Sequence, residues 1–137
     1  MQLDLLLTAD YANVTADGKL NVMGIFNRIY SSAFPASHAE MYLVANLSAD
    51  PSEYGMRRKL VAKLMDEDGG LVAQLLEREI EVPQAKEGRP AEIRQILRLV
   101  GLLFPRPGTY QFSMLVDNDL KGSRAIRVIR TSKERAG

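Results

Sequence analysis

The sequence predicts an all-β protein, an antiparallel β-sandwich of eight strands with Greek-key or jelly-roll-like connections. Eight apolar segments alternate with turn-forming residues at a spacing of roughly 8–12 residues, as in such folds. Within several segments the apolar residues recur at every second position, which is the period of a strand. The length of 137 residues is close to the commonest size of one domain. We therefore expect a single sandwich domain over residues 1–130 and a frayed, basic C-terminal tail over residues 131–137.

The N-terminal half contains four predicted strands, Gln2–Val14, Lys19–Tyr30, Met41–Leu47 and Met56–Met65. The pair Asp17-Gly18 lies between the first two and is a strong hairpin signal. The second strand is apolar at both phases of the alternation, as expected for a central strand that is buried on both faces. Residues 31–39 include Phe34-Pro35, and we expect them to form a loop.

The C-terminal half contains the other four predicted strands, Leu71–Val82, Glu92–Phe104, Thr109–Val116 and Lys121–Ile129. Alternation is clearest after Thr109, where Tyr110, Phe112 and Met114 share one phase. A helix is the alternative for residues 71–80, because their Leu, Gln, Glu and Arg side chains favour helices, and for residues 93–103.

The stretch PRPG, residues 105–108, precedes the seventh predicted strand. Pro107 and Gly108 suit the two central positions of a type II turn, because proline presets the first φ and glycine accepts the positive second one. Tyr110 then opens the strand, where a tyrosine often hydrogen-bonds back to nearby backbone as a tyrosine corner. The alternative is a proline-rich recognition element, which needs a longer exposed run. We interpret the stretch as a structural corner, with Arg106 pointing into solvent.

Composition excludes several classes of function. The chain has no cysteine, so it has no disulfide, thiolate nucleophile or cysteine-based metal site. Its 18 basic and 17 acidic residues give a net charge of +1, from which we expect neither nucleic acid nor an anionic membrane surface as partner. The N-terminal residues MQLDLLLTADY lack the basic region of a signal peptide, and no run reaches the roughly 18 apolar residues of a membrane span. We expect a soluble, cytoplasmic protein.

The only histidine, His38, falls in the predicted loop. A catalytic triad would need it together with Ser31, Ser32 or Ser37 and a distant aspartate. No nucleophile motif supports a triad, so we interpret His38 as a solvated surface residue. We therefore predict no catalytic residue and no enzyme activity.

Two acidic turns, Asp66–Asp68 and Asp117–Asp119, offer oxygen ligands of the kind that calcium prefers. If the strands run alternately up and down, these turns lie at opposite ends of the domain, a strand length apart. Neither turn alone supplies the 6–8 oxygens that calcium takes. We predict no metal-binding residue and no cofactor.

The C-terminal end is basic, with Arg124, Arg127, Arg130, Lys133 and Arg135. One interpretation is contact with phosphate, but no aromatic residue is interleaved for base stacking. The interpretation that we favour is protection of a sheet edge, because basic side chains on an edge strand block unwanted strand pairing.

Two successive segments carry opposite charges. Glu77, Glu79 and Glu81 share one face of the fifth predicted strand, and Arg94 and Arg98 share one face of the sixth. If these strands pair, each cross-strand ion pair is worth roughly 0.2–1 kcal/mol.

The chain resembles a bacterial family of small, uncharacterised all-β domains. The resemblance is carried by ADYANVTADGKLNVMGIFNRIY and FPASHAEMYLV in the N-terminal half and by GLLFPRPGTYQFSMLVD near the end, and it spans nearly the whole chain. It implies a single all-β domain of unknown function and supplies no functional residue.

We therefore expect a non-catalytic interaction module with a protein partner, self-association being one form of this. The alternative is a small-ligand binder with a pocket on one sheet face or at one loop end. The arrangement of Tyr11, Tyr30, Tyr42 and Tyr54 distinguishes the two. Clustered and exposed tyrosines favour ligand binding, and singly buried ones favour the interaction module.

Overall fold

The computed structural model describes residues 1–85 and 90–132 and confirms the all-β class. In these residues there are nine strands and one short 3-10 helix, Pro51–Glu53. The strands are β1 Gln2–Val14, β2 Leu20–Ile25, β3 Arg28–Ser31, β4 Ala36–Ala49, β5 Arg57–Met65, β6 Leu71–Glu81, β7 Ala91–Phe104, β8 Gly108–Val116 and β9 Asp119–Arg130. The two segments with a helical alternative are the strands β6 and β7.

The strands form two sheets around a shared core. The four-stranded sheet has the order β2-β1-β4-β7, and the five-stranded sheet has the order β3-β9-β8-β5-β6 and is curled like half of a barrel. Side chains from both sheets fill the space between them, among them Met41, Leu43, Phe104, Phe112 and Ile126. The count of eight strands is wrong, and so is the wholly antiparallel pairing, because β3 and β9 run parallel. The Greek-key or jelly-roll description is not confirmed by these strand orders.

The additional strand arises because the predicted segment Lys19–Tyr30 is divided between the two sheets. Gly24 has a φ of 69°, a left-handed conformation that glycine adopts without strain, and the chain leaves the four-stranded sheet just after it. The Phe26 N–H still bonds to the four-stranded sheet, donating to Thr8 O on β1 at 3.0 Å. The next residue already bonds to the five-stranded sheet, because Asn27 O accepts from the Arg127 N–H on β9 at 2.8 Å. The segment is apolar at both phases because it serves two sheets, and not because it is one central strand.

Strand β4 begins at Ala36 and not at Met41, so the loop predicted for residues 31–39 is shorter than expected. Its register with β7 is continuous from the pair Ala36–Phe104 to the pair Ala49–Ala91. The placement of His38 in a loop is therefore wrong. The residue lies in β4, is partly buried, and packs its ring 5.7 Å from the ring of Phe26.

The hairpin of β1 and β2 forms half of the four-stranded sheet, and its tip also contacts β7. At this tip, Gly18 O accepts a hydrogen bond from Arg94 Nη1 on β7 at 3.2 Å. A separate apolar cluster joins the hairpin to β4 and β7: Leu7, Ala12, Val44, Leu20, Val22 and Ile96. The four-stranded sheet is therefore partly buried on both faces, and Val44 on its outer face is 0% exposed.

The expected tail begins at residue 131, but backbone pairing continues there, since the Thr131 N–H donates to Ser31 O at 2.9 Å. Residues 133–137 of that tail lie outside the described residues. The division into one domain and a tail stays a prediction. Within residues 1–85 and 90–132, no helical segment has the length and apolar character needed to cross a membrane.

Candidate interaction surface

The PRPG stretch forms the expected corner. Tyr110 is 1% exposed, and its hydroxyl donates to Arg106 O at 2.6 Å and accepts from the Arg106 N–H at 3.1 Å. Its ring packs edge-on against Phe104 with centroids 5.1 Å apart. Gly108 has the positive φ that was expected, but its value of 148° is far from the roughly 80° of a type II turn, and Gly108 is already the first residue of β8. These contacts make the stretch part of the folded framework.

Arg106 departs from the expectation, because its side chain turns toward the acidic turn after β5 instead of leaving into solvent. Its Nη2 lies 3.2 Å from Asp66 Oδ2 and 3.5 Å from Asp68 Oδ2. Between them, Glu67 Oε1 accepts from the Thr109 N–H at 2.5 Å. The acidic turn thus fastens the β5–β6 connection to the corner.

The second acidic turn lies at the other end of β5, as the alternation of strand directions predicted. Asp117 Oδ1 accepts from the Lys59 N–H at 2.9 Å, and Asp117 Oδ2 lies 3.1 Å from Arg58 Nη1. Within the described part of the chain, no three His, Cys, Asp or Glu side chains are grouped so that they could hold a metal ion.

The interpretation of the C-terminal arginines as edge protection is wrong for Arg127 and Arg130. Here β9 lies between β8 and β3, and its residues Arg127–Arg130 pair with Arg28–Ser31. Lys133 and Arg135 lie outside the described residues. The edge strand is β3, and the sequence did not show this because β3 pairs in parallel with a strand far away in the chain.

The charged faces of the fifth and sixth predicted strands do not meet either. Strand β6 pairs with β5, where Lys59 Nζ lies 2.6 Å from Glu77 Oε1. Strand β7 belongs to the other sheet, where Arg98 Nε lies 2.8 Å from Glu40 Oε1. The pairing on which these cross-strand ion pairs depended does not occur, because β6 and β7 are edge strands of different sheets.

The four tyrosines are neither all clustered and exposed nor all buried singly. Tyr11, 44% exposed, packs edge-on against Tyr42, which is 9% exposed, with ring centroids 5.3 Å apart. Tyr30 lies on β3 of the other sheet, and Tyr54 follows the 3-10 helix. Two tyrosines therefore form one pair on the four-stranded sheet.

That pair lies within an exposed apolar surface, which we call the tyrosine patch: Tyr11, Met23, Ile25, Glu40, Tyr42, Arg98 and Val100. The sheet register brings these residues together, because Met23 pairs with Tyr11, Ile25 with Ala9, Ala9 with Tyr42, Tyr42 with Arg98, and Val100 with Glu40. Met23, Ile25 and Val100 are 63%, 58% and 64% exposed. The tyrosine patch therefore crosses all four strands of the sheet.

The polar groups of the tyrosine patch neutralise one another. Glu40 Oε1 accepts from Arg98 Nε at 2.8 Å and from the Tyr42 hydroxyl at 3.2 Å. The hydrogen bond from Arg98 lowers the pKa of Glu40, and the same pair raises the pKa of Arg98. Burial, and then the bond to Glu40, raises the pKa of the Tyr42 hydroxyl. At neutral pH the patch thus carries one internal ion pair and a protonated tyrosine.

The sequence did not reveal Met23, Ile25 and Val100 as surface residues. Met23 and Ile25 lie in the run expected to be buried on both faces, and Val100 lies in the apolar end of the predicted strand Glu92–Phe104. Gly101, next to Val100, has a φ of 65° and alters the alternation of β7, as Gly24 does next to Met23 and Ile25. The glycines inside these apolar runs are the signal that was available.

A groove of about 380 Å³ between β6 and β7 is relevant to the small-ligand alternative. Its lining is mostly polar and charged, including Arg78, Glu79, Glu92 and Gln95, and it contains no tyrosine. A neighbouring groove of about 520 Å³ is lined by one of the four tyrosines, Tyr54, while the Tyr11–Tyr42 pair lines neither groove.

The model of a family of unknown function, DUF6941, matches residues 4–129. The chain belongs to this family. Membership in DUF6941 confirms the resemblance to a family of small uncharacterised domains, while its bacterial origin stays a prediction. None of the curated proteins compared with the chain matches it.

Among solved structures, this DUF6941 chain is similar to an alkylpurine DNA glycosylase, AlkC of Pseudomonas fluorescens, bound to DNA containing an abasic site analog. The identity is 13% and the TM-score is 0.49. The match covers 95% of this chain but only 30% of the glycosylase chain.

The exclusion of nucleic acid as a partner is withdrawn alongside this likeness to a protein bound to DNA. The exclusion rested on the net charge. Net charge is a sum over the whole molecule and does not describe how arginines are distributed over its surfaces. The likeness itself assigns no ligand to this chain.

Proposed function

We propose that this chain is a non-catalytic interaction module that binds a second copy of itself through the tyrosine patch. The observation that carries the proposal is the exposure of Met23, Ile25 and Val100 around the Tyr11–Tyr42 pair. Tyrosine, methionine and arginine are the residues enriched at protein interfaces. An exposed apolar surface of this composition marks an interaction site.

Burial of the tyrosine patch in an interface would contribute a large favourable free energy of association. Full burial of one large apolar side chain contributes roughly 1.5–3 kcal/mol, and three such side chains are more than half exposed here. Tyr11 adds a partly exposed ring whose two χ angles lose little conformational freedom. A few central anchors of this kind carry most of the energy of an interface.

Charge favours a second copy as the partner. Because Glu40 and Arg98 neutralise each other, two patches can face one another without an unpaired charge. A two-fold dimer needs such a self-complementary surface. A standard interface buries about 800 Å² on each partner, so neighbouring residues such as Leu103, 52% exposed, also belong to it.

The form of the tyrosine patch favours a protein over a small ligand, because it is spread over a sheet face, whereas small-ligand sites are concave. Its ionisable groups favour binding over catalysis. Glu40 has a lowered pKa and is held by Arg98, so it is a poor proton donor or acceptor near neutral pH. The cytoplasmic location expected from the sequence is part of this proposal.

The test is light scattering coupled to size-exclusion chromatography, from about 1 µM to about 1 mM protein, the range of weak to moderate complexes. We expect the mass to double over this range. Met23→Lys and Val100→Asp should hold the protein at the mass of one chain with an unchanged melting temperature, because both side chains are exposed.

The matched control is Leu71→Lys, on β6 of the other sheet, where the side chain is 59% exposed. This variant should dimerise as the parent does. A chain that remains monomeric at the highest concentration, or that loses its dimer equally with Leu71→Lys, contradicts the proposal.

A further inference from the structure

Arginines without an acidic partner are concentrated on one pair of strands. Within residues 1–85 and 90–132, four arginines form ion pairs: Arg57, Arg58, Arg98 and Arg106. Two others, on β6 and β7, lack an acidic partner and donate to neutral oxygens: Arg78 and Arg94. The remaining four lie on β3 and β9, where Arg124 donates to a backbone carbonyl and none has a carboxylate oxygen of the described residues within 4.0 Å: Arg28, Arg124, Arg127 and Arg130. The described residues around this strand pair therefore leave its positive charge without a partner.

Two of these arginines are neighbours on the solvent face of the five-stranded sheet. Arg28 and Arg127 are paired in the parallel register of β3 and β9. The next residues, Ile29 and Val128, are 7% and 2% exposed and belong to the core, so the two arginines point outward. Adjacent strands lie about 4.8 Å apart, and like charges directly opposite each other destabilise a sheet. An anion bound between them would remove this repulsion.

An exposed aromatic ring lies beside the two arginines. Tyr30 is two residues beyond Arg28 on the same face of β3 and is 58% exposed. Its register partner, Ile129, extends the apolar surface next to the ring. The Tyr30 ring is therefore accessible to solvent two residues along the same face from the Arg28–Arg127 pair.

We propose that this face of β3 and β9 binds single-stranded nucleic acid, with Arg28 and Arg127 contacting phosphates and Tyr30 stacking on a base. Single-strand sites combine positive side chains that follow the backbone with aromatic rings on which bases stack. The aromatic ring favours nucleic acid over an acidic peptide, which has no base to stack. The site lies on the opposite sheet from the tyrosine patch and does not depend on self-association.

The remaining arginines of the strand pair are held at its margins. Arg124 Nη2 lies 3.4 Å from Phe26 O, and the Arg130 guanidinium lies 4.7 Å from the centre of the Phe34 ring. On the other side, the Glu67 carboxylate is fixed to the Thr109 N–H, and Thr109 is the register partner of Arg127 on β8. The acidic turn therefore limits the site on the β8 side, and the strand of nucleic acid should run along β3 and β9.

The test is fluorescence anisotropy with a labelled oligothymidylate of about 10 nucleotides, within the 4–16 that comparable sites cover. Affinity should fall as salt is raised, with a slope of about −1.4 in log K against log salt for two phosphate contacts on a single strand. Arg127→Ala should halve that slope to about −0.7, since it removes one contact.

Arg57→Ala is the matched control, because Arg57 is an exposed arginine on β5 of the same sheet that pairs with Glu79. It removes the same charge and should leave the slope unchanged. Tyr30→Ala should weaken binding about 5-fold to 150-fold, the range for loss of one base–aromatic stack, while Tyr30→Phe should bind as the parent does.

Three results would overturn the inference. One is the absence of oligothymidylate binding at low salt. Another is an equal loss in Arg57→Ala and Arg127→Ala, which indicates attraction by overall charge. The last is binding of polyglutamate of matched charge with the same affinity and no sensitivity to Tyr30→Ala, which indicates an acidic peptide as ligand.

Discussion

Removing the Tyr110 hydroxyl tests whether the PRPG corner holds the fold together. The hydroxyl makes two hydrogen bonds to the Arg106 backbone, at 2.6 and 3.1 Å. A hydrogen bond contributes about 0.5–1.5 kcal/mol, so loss of both in Tyr110→Phe should cost about 1–3 kcal/mol of the free energy of unfolding. Tyr110→Ala also removes a ring that is 1% exposed and packs on Phe104, and should cost about 3–5 kcal/mol.

Gly108→Ala perturbs the same corner through the backbone. Its φ of 148° is strained for alanine, and an added Cβ would lie 2.8 Å from Glu67 Oε1. The oxygen ends a flexible side chain and can move, so the backbone strain decides the cost, at roughly 1 kcal/mol. Repeating the substitution in Glu67→Ala separates the two causes. If backbone strain dominates, the cost persists in the double variant.

The measurement is urea unfolding followed by circular dichroism. Tyr30→Phe is the control, because Tyr30 is 58% exposed and changes at such positions usually stay within about 0.5 kcal/mol. The reasoning is refuted if Tyr110→Phe behaves like this control. It is also refuted if Arg106→Ala destabilises more than Tyr110→Ala, since the Arg106 side chain contributes only exposed ion pairs.

Three further predictions concern single sites. His38→Ala should cost about 0.5–1.5 kcal/mol in urea unfolding through loss of the contact with Phe26, and a cost below about 0.3 kcal/mol contradicts that packing. Gly24→Ala should lower the melting temperature, because alanine is strained at a φ of 69° and its Cβ would lie 2.5 Å from Asp10 Oδ2. An unchanged melting temperature contradicts this prediction. The hydrogen bond from Arg98 holds the folded-state pKa of Glu40 below the ordinary 4.5, so the stability that Glu40 contributes is complete above pH 4.5 and is lost as the pH falls through the lowered pKa. Glu40→Gln should therefore reduce the pH dependence of the free energy of unfolding below pH 4.5. An identical pH profile argues against the ion pair.

The parts of the fold that follow from local chemistry were predictable from the sequence. The alternating residues after Thr109 predicted β8, and Asp17-Gly18 predicted the hairpin of β1 and β2. The position of Tyr110 after Pro107-Gly108 predicted that its hydroxyl would hydrogen-bond to nearby backbone. Each of these features depends on residues that are close together in the chain, so the pattern and the contact occur in the same stretch.

The parts that depend on long-range pairing were not predictable. Nothing near Arg28 in the sequence indicates that it lies beside Arg127, because a parallel pair needs a partner from a distant segment. The assignment of β6 and β7 to different sheets has the same origin. Both proposed surfaces consist of residues that such pairings bring together, which explains why inspection of single motifs found no site.

The crossing between the sheets links the two proposed surfaces. Strand β2 carries Met23 and Ile25 to the tyrosine patch, and β3 carries Arg28 and Tyr30 to the basic face. Between them, the Phe26 N–H donates to Thr8 O, and Phe26 O accepts from the Thr8 hydroxyl and from Arg124 Nη2. Thr8 belongs to the four-stranded sheet and Arg124 to the five-stranded one. Because Phe26 is bonded to both sheets, the crossing fixes the tyrosine patch and the basic face relative to each other. A dimer formed through the tyrosine patch would therefore hold two basic faces at one defined separation, and a strand of nucleic acid long enough to reach both would bind more tightly than a short one.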